Sequence, residues 1–333
     1  MLRFSVMVAS ALAANPVVPD VGMADSHVHL FDGVYYMYAT HDYSNQNKYF
    51  RMDDWHVWSS PDLVDWTLRS TLYPNATPAP PGAYTECWAT DGARLVHPDG
   101  RKEFFFYLST GPSEVAVVNA STPVGPWENS LGAPLLNSSF GSQLGTTFRD
   151  PCVFEDADGS YYIVAGVFDY FIAKLGPDLM SLAEFPRRVE VLNPTGPYGA
   201  KTDDKPFLHR APNGLYYLSW GCFYGTSASP YGPFNYTGSA IDTAFIAPDF
   251  RTNHTDGPWY GHEDYADRHG SFFQNSGGQS FYSSNDRSHS TDTANPSVYR
   301  DTVIGYVNYW NNGSIAVREE KKRGRAPPPC PPT

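Results

Sequence analysis

Five glycine-centred turns, spaced roughly sixty residues apart, divide most of this 333-residue chain into similar segments. In each segment an apolar run leads into the turn and a tyrosine- or phenylalanine-rich run follows it, as in HLFDGVYYMY and CVFEDADGSYYIV. The turn glycines are Gly33, Gly100, Gly159, Gly214 and Gly278. A hairpin unit that recurs with such a period is typical of propeller blades. The sequence therefore predicts an all-β fold, a five-bladed β-propeller.

The second half of each repeat supports this prediction. Strand-like runs meet Ser/Gly/Pro turns in HVWSSPDLVDW, VAVVNASTPVGPW, AKLGPDLMSL and YGTSASPYGPF. Proline fixes φ and glycine supplies positive φ, so these segments are expected to be tight turns between outer strands. A β-sandwich also contains many short strands. It does not require a five-fold recurrence, however, so the repeat favours the propeller.

Composition limits the partners of the chain. Aromatic residues make up 15% of the sequence, a balance that suits β-strands better than helices. The net charge of −12 argues against binding to nucleic acid, which needs a basic surface. No internal apolar run is long enough to span a bilayer. We therefore expect no nucleic acid or membrane partner, and we also expect a monomer.

The two ends of the chain differ from the repeats. Residues 1–14 combine a short basic start with the apolar run FSVMVASALAA and a small-x-small site, which predicts a secretory signal peptide; a buried first strand or helix is the alternative. Residues 319–333, EEKKRGRAPPPCPPT, predict a disordered tail, which leaves 22–317 as the propeller domain. Six glycosylation sequons favour a secreted glycoprotein: Asn75, Asn119, Asn137, Asn235, Asn253 and Asn312.

Four cysteines occur, at Cys87, Cys152, Cys222 and Cys330. None has CxxC spacing, which argues against a zinc site. Cys152 and Cys222 lie in strand-like runs, where buried free thiols are the usual outcome. A disulfide stays possible in a secreted protein, and the sequence does not assign its pairing.

The turns also predict which residues meet at the propeller axis. The innermost strand of each blade should begin eight to ten positions before the turn glycine, at Asp25, Asp91, Asp150, Asp204 and His269. Asp commonly begins strands and makes Asx turns, which would explain any one of these positions. Four carboxylates and an imidazole around one axis raise one another's pKa or are costly to bury unless a function retains them.

Paired carboxylates in a narrow pocket are the groups that hydrolyse glycosidic bonds. One ionised carboxylate activates water, while one protonated acid donates to the leaving oxygen. An inverting enzyme holds the two about 6.5–9.5 Å apart. The aromatic candidates for stacking on sugar rings are Trp88, Phe148, Trp220 and Tyr224, for which ordinary core packing is the alternative.

Several motifs together resemble glycoside hydrolase family 43, the five-bladed-propeller arabinofuranosidases and xylosidases. The matching text covers roughly residues 22–317 and includes ADSHVHLFDGVYYMYATHD, ECWATDG, RDPCVFEDADGSYY, PFLHRAPNGLYYLSW, RHGSFF and YRDTVIGYVNYWNNG. An invertase-like family shares RDP and EC signatures. In that family RDP precedes EC, whereas here the order is reversed and no NDPNG-like motif occurs.

The resemblance implies roles for the axial residues. Asp25 matches the general base, and Asp150 matches the Asp that tunes the pKa of the acid and orients it. His269 matches the His that often holds a central calcium or a water cluster, and Arg300 matches an arginine that contacts the sugar. Asp91 is left as a substrate-binding candidate. No cofactor is required by this chemistry, although a structural calcium is possible.

The fourth blade departs from the family. The usual general acid is a Glu two residues before a Pro, but the segment here is TDDKPFLH, which places Asp204 at that position. Asp204 is the favoured acid; Glu263 reaching into the site, or an impaired site, are alternatives. The hypothesis is a secreted, inverting, exo-acting arabinofuranosidase or xylosidase acting on oligo- or polysaccharide. The alternative is a non-catalytic carbohydrate-binding propeller that has lost its acid.

Overall fold

Five β-sheets account for nearly all the regular structure in the computed structural model. The structure describes residues 15–19, 21–42, 51–111, 113–145, 148–197, 199–241, 268–286 and 300–319. The predicted signal peptide, residues 320–333 of the predicted tail, Asn253, Glu263 and Cys330 lie outside these ranges. The described part of the chain contains no helix that is long and apolar enough to cross a membrane.

The five sheets follow one another along the chain as blades. Blade 1 contains β1 (Met23–Phe31), β2 (Val34–Asp42), β3 (Met52–Ser60) and β4 (Thr67–Leu72). Blade 2 contains β5 (Thr90–Val96), β6 (Lys102–Ser109) and β7 (Val115–Ala120). Blade 3 contains β8 (Cys152–Glu155), β9 (Tyr161–Val167), β10 (Asp169–Lys174) and β11 (Arg187–Arg188).

The last two blades complete the ring. Blade 4 contains β12 (Val191–Leu192), β13 (Pro206–Arg210), β14 (Tyr216–Trp220), β15 (Phe223–Ser227) and β16 (Phe234–Ser239). Blade 5 contains β17 (Phe272–Gln274), β18 (Ser280–Asp286), β19 (Asp301–Tyr309) and β20 (Ile315–Glu319). A short helix, α1 (Ser138–Leu144), and two 3₁₀ turns, Pro74–Ala76 and Tyr84–Glu86, are the described helical elements. The prediction of an all-β, five-bladed propeller is confirmed.

The repeated glycines occupy the predicted turns. Each lies between the innermost strand of its blade and the second strand, which pairs with it, and their φ values fall between +79° and +84°, in the left-handed region that favours glycine. The aromatic runs after these turns form the second strands, whose rings pack between neighbouring blades. Tyr38 of blade 1 lies 5.0 Å from Phe106 of blade 2, both on second strands, and on the innermost strands Phe272 of blade 5 lies 4.5 Å from His209 of blade 4, measured between ring centroids.

Blades 1 and 5 close the ring through side-chain hydrogen bonds. Thr302 Oγ1 donates to the carbonyl of Met23 at 2.8 Å, and Ser283 Oγ donates to the carbonyl of Ser26 at 2.8 Å. All four residues are buried. The closure therefore fixes the start of β1, where Asp25 lies, against the last blade.

Asp91 ties three blades together beneath the predicted site. Its Oδ1 lies 2.7 Å from Nδ1 of His27 and 2.7 Å from Nε2 of His29, both on β1. Its Oδ2 accepts the N–H of Val153 on β8 at 2.6 Å. Asp91 has no exposed surface. Both carboxylate oxygens of Asp91 are therefore occupied inside the core, and the predicted contact with substrate would have to displace these partners.

Acid should weaken the fold through His27. Burial lowers the pKa of His27 from 6.5 to about 4. Between pH 6.5 and 4 the imidazole of His27 binds a proton in the unfolded chain but stays neutral in the folded chain. The unfolding free energy should therefore fall by up to about 3 kcal/mol over this pH range. Above pH 6.5 this contribution is constant. Urea unfolding at pH 7, 6 and 5 measures the slope.

The control for this prediction is a variant pair. His27→Asn removes the titrating group, and its unfolding free energy should depend less on pH than that of the wild type. His97→Asn makes the same change at a more exposed position beside Glu103 and should keep the wild-type slope. Equal slopes for the wild type and His27→Asn would contradict the assignment.

Candidate active site

Three residues with left-handed backbone mark one end of the propeller axis. Asp25 has φ 51°, Asp150 has φ 58° and Lys205, which follows Asp204, has φ 50°. Such a conformation costs a non-glycine residue of order 1–3 kcal/mol and is concentrated at functional sites. Its recurrence where blades 1, 3 and 4 begin indicates that the chain is bent there to orient particular side chains.

Asp25 is buried and surrounded by hydrogen-bond donors. Its N–H donates to Asn285 Oδ1 at 2.8 Å, and Asn285 Nδ2 donates back to Asp25 Oδ1 at 2.9 Å. Arg300 Nη1 lies 3.2 Å from Asp25 Oδ2. Donors and a positive charge stabilise the ionised carboxylate, which is the form that accepts a proton from water.

Asp42, at the end of β2, holds the guanidinium of Arg300. Arg300 Nε donates to Asp42 Oδ2 at 2.8 Å and Arg300 Nη2 donates to Asp42 Oδ1 at 3.0 Å, a two-point contact that fixes the plane of the guanidinium. Both side chains are buried. Asp42 was not among the residues predicted from sequence, because it ends a second strand and no repeat marks that position.

One imidazole ring connects the carboxylates of blades 1 and 4. His269 Nε2 lies 2.8 Å from Asp204 Oδ1, and His269 Nδ1 lies 3.4 Å from Asp25 Oδ1. Burial alone would lower the pKa of His269, but Asp204, Asp203 and Asp25 raise it well above its ordinary value. A ring between the two carboxylates is compatible with the separation of about 6.5–9.5 Å that inverting hydrolysis requires.

Asp203 and Asp204 differ in exposure. The side chain of Asp203 is 3% exposed, whereas that of Asp204 is 29% exposed. Asp203 Oδ1 accepts the N–H of Asp204 at 2.9 Å. Burial, together with the charge of Asp204, raises the pKa of Asp203 to about 7. Asp204 is the carboxyl group that can reach a bound molecule, and Asp203 supports it from inside.

Asp150 lies between these groups and the core. Its N–H donates to Ser109 Oγ at 2.8 Å, and its Oδ2 accepts the N–H of Lys205 at 3.2 Å. Burial raises the pKa of Asp150 to about 6. The charge of Arg149 lowers this pKa, whereas the charges of Asp204 and Asp25 add to the rise. A buried carboxyl whose pKa depends on both other carboxylates is suited to controlling where protons reside in the site.

The family model for glycosyl hydrolases family 43 matches residues 13–315, which include every residue of this site. The chain belongs to glycosyl hydrolase family 43. A protein of Bacteroides ovatus named xylosidase/arabinosidase is 29% identical over 295 residues, which cover 73% of this chain and 86% of the relative. The β-D-galactofuranosidase xynD of Aspergillus niger is 32% identical over 249 residues, covering 69% of this chain and 67% of the relative. Membership makes the chain a glycoside hydrolase.

Solved structures of family 43 share the fold. The arabinoxylan arabinofuranohydrolase of Bacillus subtilis, solved with cellotetraose, superposes with a TM-score of 0.74 at 23% identity, over 93% of this chain and 68% of that chain. A family 43 enzyme of Xanthomonas citri, solved with xylose, gives a TM-score of 0.67 at 23% identity, over 92% of this chain and 93% of that chain. These likenesses support the propeller architecture.

The predicted aromatic contacts of this family 43 chain divide into two groups. Trp88 is half-buried, with the guanidinium carbon of Arg149 5.3 Å from its ring centroid. Phe148, Trp220 and Tyr224 are almost wholly buried in the core. Phe148 packs on Phe171, and Trp220 Nε1 donates to the carbonyl of Thr195. Ordinary core packing, the alternative for these aromatic residues, therefore accounts for Phe148, Trp220 and Tyr224, whereas Trp88 keeps part of its ring exposed.

Both ring nitrogens of His269 face carboxylate oxygens, and those carboxylates raise its pKa well above its ordinary value. His269, Asp203 and Asp204 also lie close enough to one another to hold a metal ion together. Cys87 and Cys152 are buried free thiols, and Cys222 is buried.

Proposed function

We propose that this chain is an inverting, exo-acting glycosidase that releases arabinofuranose or xylose from oligo- or polysaccharide. The observation that supports this most directly is the contact of one imidazole, that of His269, with both Asp25 and Asp204. It places the buried carboxylate of Asp25 and the partly exposed carboxyl of Asp204 on either side of one imidazole ring, an arrangement compatible with a base and an acid that act on one sugar.

Each residue has a separate task in the proposed reaction. Asp25 removes a proton from the attacking water, and Arg300 keeps Asp25 ionised. Asp204 donates its proton to the leaving oxygen on the opposite side of the sugar. Asp150 holds a negative charge near Asp204, which favours retention of that proton until the bond breaks. No cofactor takes part in these steps.

The substrate is tested with a panel of small glycosides. The relatives bear the names of xylosidases, arabinofuranohydrolases and a galactofuranosidase, so nitrophenyl α-L-arabinofuranoside, β-D-xyloside and β-D-galactofuranoside form the panel. We expect turnover of the first or second, and proton NMR of the first product should show inverted configuration at the anomeric carbon. A product with retained configuration would contradict the assignment of Asp25 as a base.

A carbohydrate-binding protein without turnover is the second candidate. It is favoured by Asp204, which is one methylene shorter than glutamate and already contacts His269. Calorimetric binding of xylotetraose with no release of sugar would support it. In that case Asp204→Glu, whose carboxyl reaches about 1.5 Å further, should create measurable hydrolysis.

Secretion, the oligomeric state and calcium complete the proposal. We expect the chain to be exported and cleaved near residue 14, with glycans that an amidase removes, and light scattering should give a monomer. Mass spectrometry of protein from the culture medium measures cleavage and glycans together. Adding calcium or a chelator tests whether a cation displaces the proton of His269, and unchanged melting temperature and activity would argue against a calcium site.

A further inference from the structure

Two histidines and one aspartate meet on blade 1, and none of them has a role in the proposed reaction. His41 Nδ1 lies 2.8 Å from Asp54 Oδ1, and His56 Nε2 lies 3.1 Å from the same oxygen. The two imidazole rings are stacked, with their centroids 4.3 Å apart. Two imidazole nitrogens and a carboxylate that converge on one point form a donor set that suits transition-metal ions.

The pairing of β2 with β3 places the three side chains on one face of blade 1. His41 pairs directly with Asp54, and His56 follows Asp54 by two positions, the spacing that returns a side chain to the same face of a strand. Between Asp54 and His56, the buried ring of Trp55 donates through Nε1 to the carbonyl of Trp88 at 3.0 Å and anchors β3. Paired strands rather than a loop therefore carry the three side chains, which holds them in position.

The distances between the three side chains fit a small divalent cation. One candidate ligand atom from each residue lies within 4.8 Å of the other two. In a tetrahedral zinc site with bonds of about 2.0–2.1 Å, neighbouring ligand atoms lie about 3.4 Å apart, so the observed contacts need to widen by less than about 1 Å. The side chain of His41 is 24% exposed, against 11% for Asp54 and 8% for His56. An ion and a water ligand can therefore reach the site beside His41.

The second ring nitrogen of His56 supports this reading. His56 Nδ1 is buried and finds no hydrogen-bond partner among the residues that the structure describes. In a neutral imidazole one nitrogen carries the proton and the other carries a lone pair. With the proton on Nδ1, the lone pair of Nε2 faces Asp54 Oδ1, and two acceptors at this distance repel each other unless a cation lies between them.

We propose that His41, Asp54 and His56 form a binding site for a divalent transition-metal ion, with Zn²⁺ as its probe. Two imidazoles favour such an ion over calcium, which takes oxygen ligands. The ion joins β2 to β3 and takes no part in the proposed hydrolysis. His41 directly precedes Asp42, which holds Arg300, so the ion stabilises the end of β2 from which Asp42 projects.

Calorimetric titration of the full chain with Zn²⁺, after treatment with a chelator and dialysis, tests the site. Zinc at about 100 times its Kd should raise the Tm of the wild type by about 4 °C. His41→Asn and Asp54→Asn should each bind this ion more than about 100-fold more weakly, because a lost ligand costs more than a lost outer partner of a ligand. Calcium should give no rise in Tm that these variants abolish.

The matched control is His97→Asn. His97 Nε2 contacts Glu103 at 2.9 Å, a pair of one imidazole and one carboxylate, and in the described part of the chain no third ligand completes a metal cluster there. This variant should keep the zinc affinity of the wild type. The Tm of each zinc-free variant shows whether its fold is intact.

Two results would overturn the inference. The first is a wild type that binds no zinc, and the second is unchanged zinc affinity in both His41→Asn and Asp54→Asn. Either would mean that the two imidazoles only donate protons to Asp54 as a structural ion pair. If a variant does not fold, X-ray absorption of the wild type with one zinc ion per chain decides instead, because a zinc shell without two imidazole nitrogens would also overturn the inference.

Discussion

Replacing Asp25 by Asn should lower kcat/KM by about 10²–10⁴-fold on the best glycoside substrate, the range over which general base catalysis contributes. The amide keeps the shape of the carboxyl group but cannot accept a proton from the attacking water. Arg300 retains its two-point contact with Asp42, so the site should keep its form. Steady-state kinetics at the pH optimum of the wild type, with melting temperature as a check on folding, measure the effect.

A matched variant and a chemical rescue complete this test. Asp158→Asn makes the same change in the exposed turn between β8 and β9, and it should retain full activity. Asp25→Ala opens a space in which azide can attack without losing a proton, so added azide should restore turnover and yield a glycosyl azide of inverted configuration. Full activity of Asp25→Asn would refute the assigned base.

The hairpin repeat predicted most of the fold because its signals are local. A glycine with positive φ between an apolar run and an aromatic run specifies a turn and two strands, wherever the blade lies in the ring. Pairings that depend on distant chain segments carried no such signal. Val191 pairs in parallel with Phe234 across a long connection, and the short helix α1, capped by Asn137, lies between two blades.

Most of the candidate site residues coincide with the repeat. Counting back from the turn glycines predicted Asp25, Asp150, Asp204 and His269, while Arg300 came from the family resemblance. Asp42 and Asn285 lie on second strands, and the same count does not identify them. It also selected Asp91, whose depth along the axis cannot be read from spacing. Side-chain depth is decided by the packing of neighbouring blades.

Lys205 limits how Asp204, the candidate acid of the fourth blade, can reach a substrate. It occupies the middle position of the expected Glu-x-Pro motif, and its buried Nζ donates to the carbonyls of Thr90 at 3.1 Å and Pro151 at 3.3 Å. Its N–H also donates to Asp150. These bonds fix the backbone directly after Asp204. Asp204 therefore cannot approach the substrate by a backbone shift. Its side chain, shorter than that of the expected Glu, has to donate the proton from a fixed backbone position.

Asp204→Asn should slow the cleavage of substrates with poor leaving groups by about 10²–10⁴-fold, the contribution of a general acid, while dinitrophenyl glycosides should be much less affected. A good leaving group departs as a stable anion and needs no proton, so the difference between the two substrates isolates proton donation from binding. Rates of a dinitrophenyl glycoside and of the matching disaccharide, measured on one protein preparation, give the ratio.

The neighbouring carboxyl supplies the control that decides between two acids. Asp203 is buried, accepts the N–H of Asp204 and has a pKa raised to about 7 by burial and by the charge of Asp204. We therefore expect Asp203 to position Asp204 rather than to donate a proton to the substrate. Asp203→Asn should therefore slow both substrates by a similar factor. The opposite result, a strong leaving-group dependence in Asp203→Asn and an equal slowing of both substrates in Asp204→Asn, would mean that the proton comes from Asp203. The general acid would then be the residue that directly precedes the position of the Glu in the Glu-x-Pro motif.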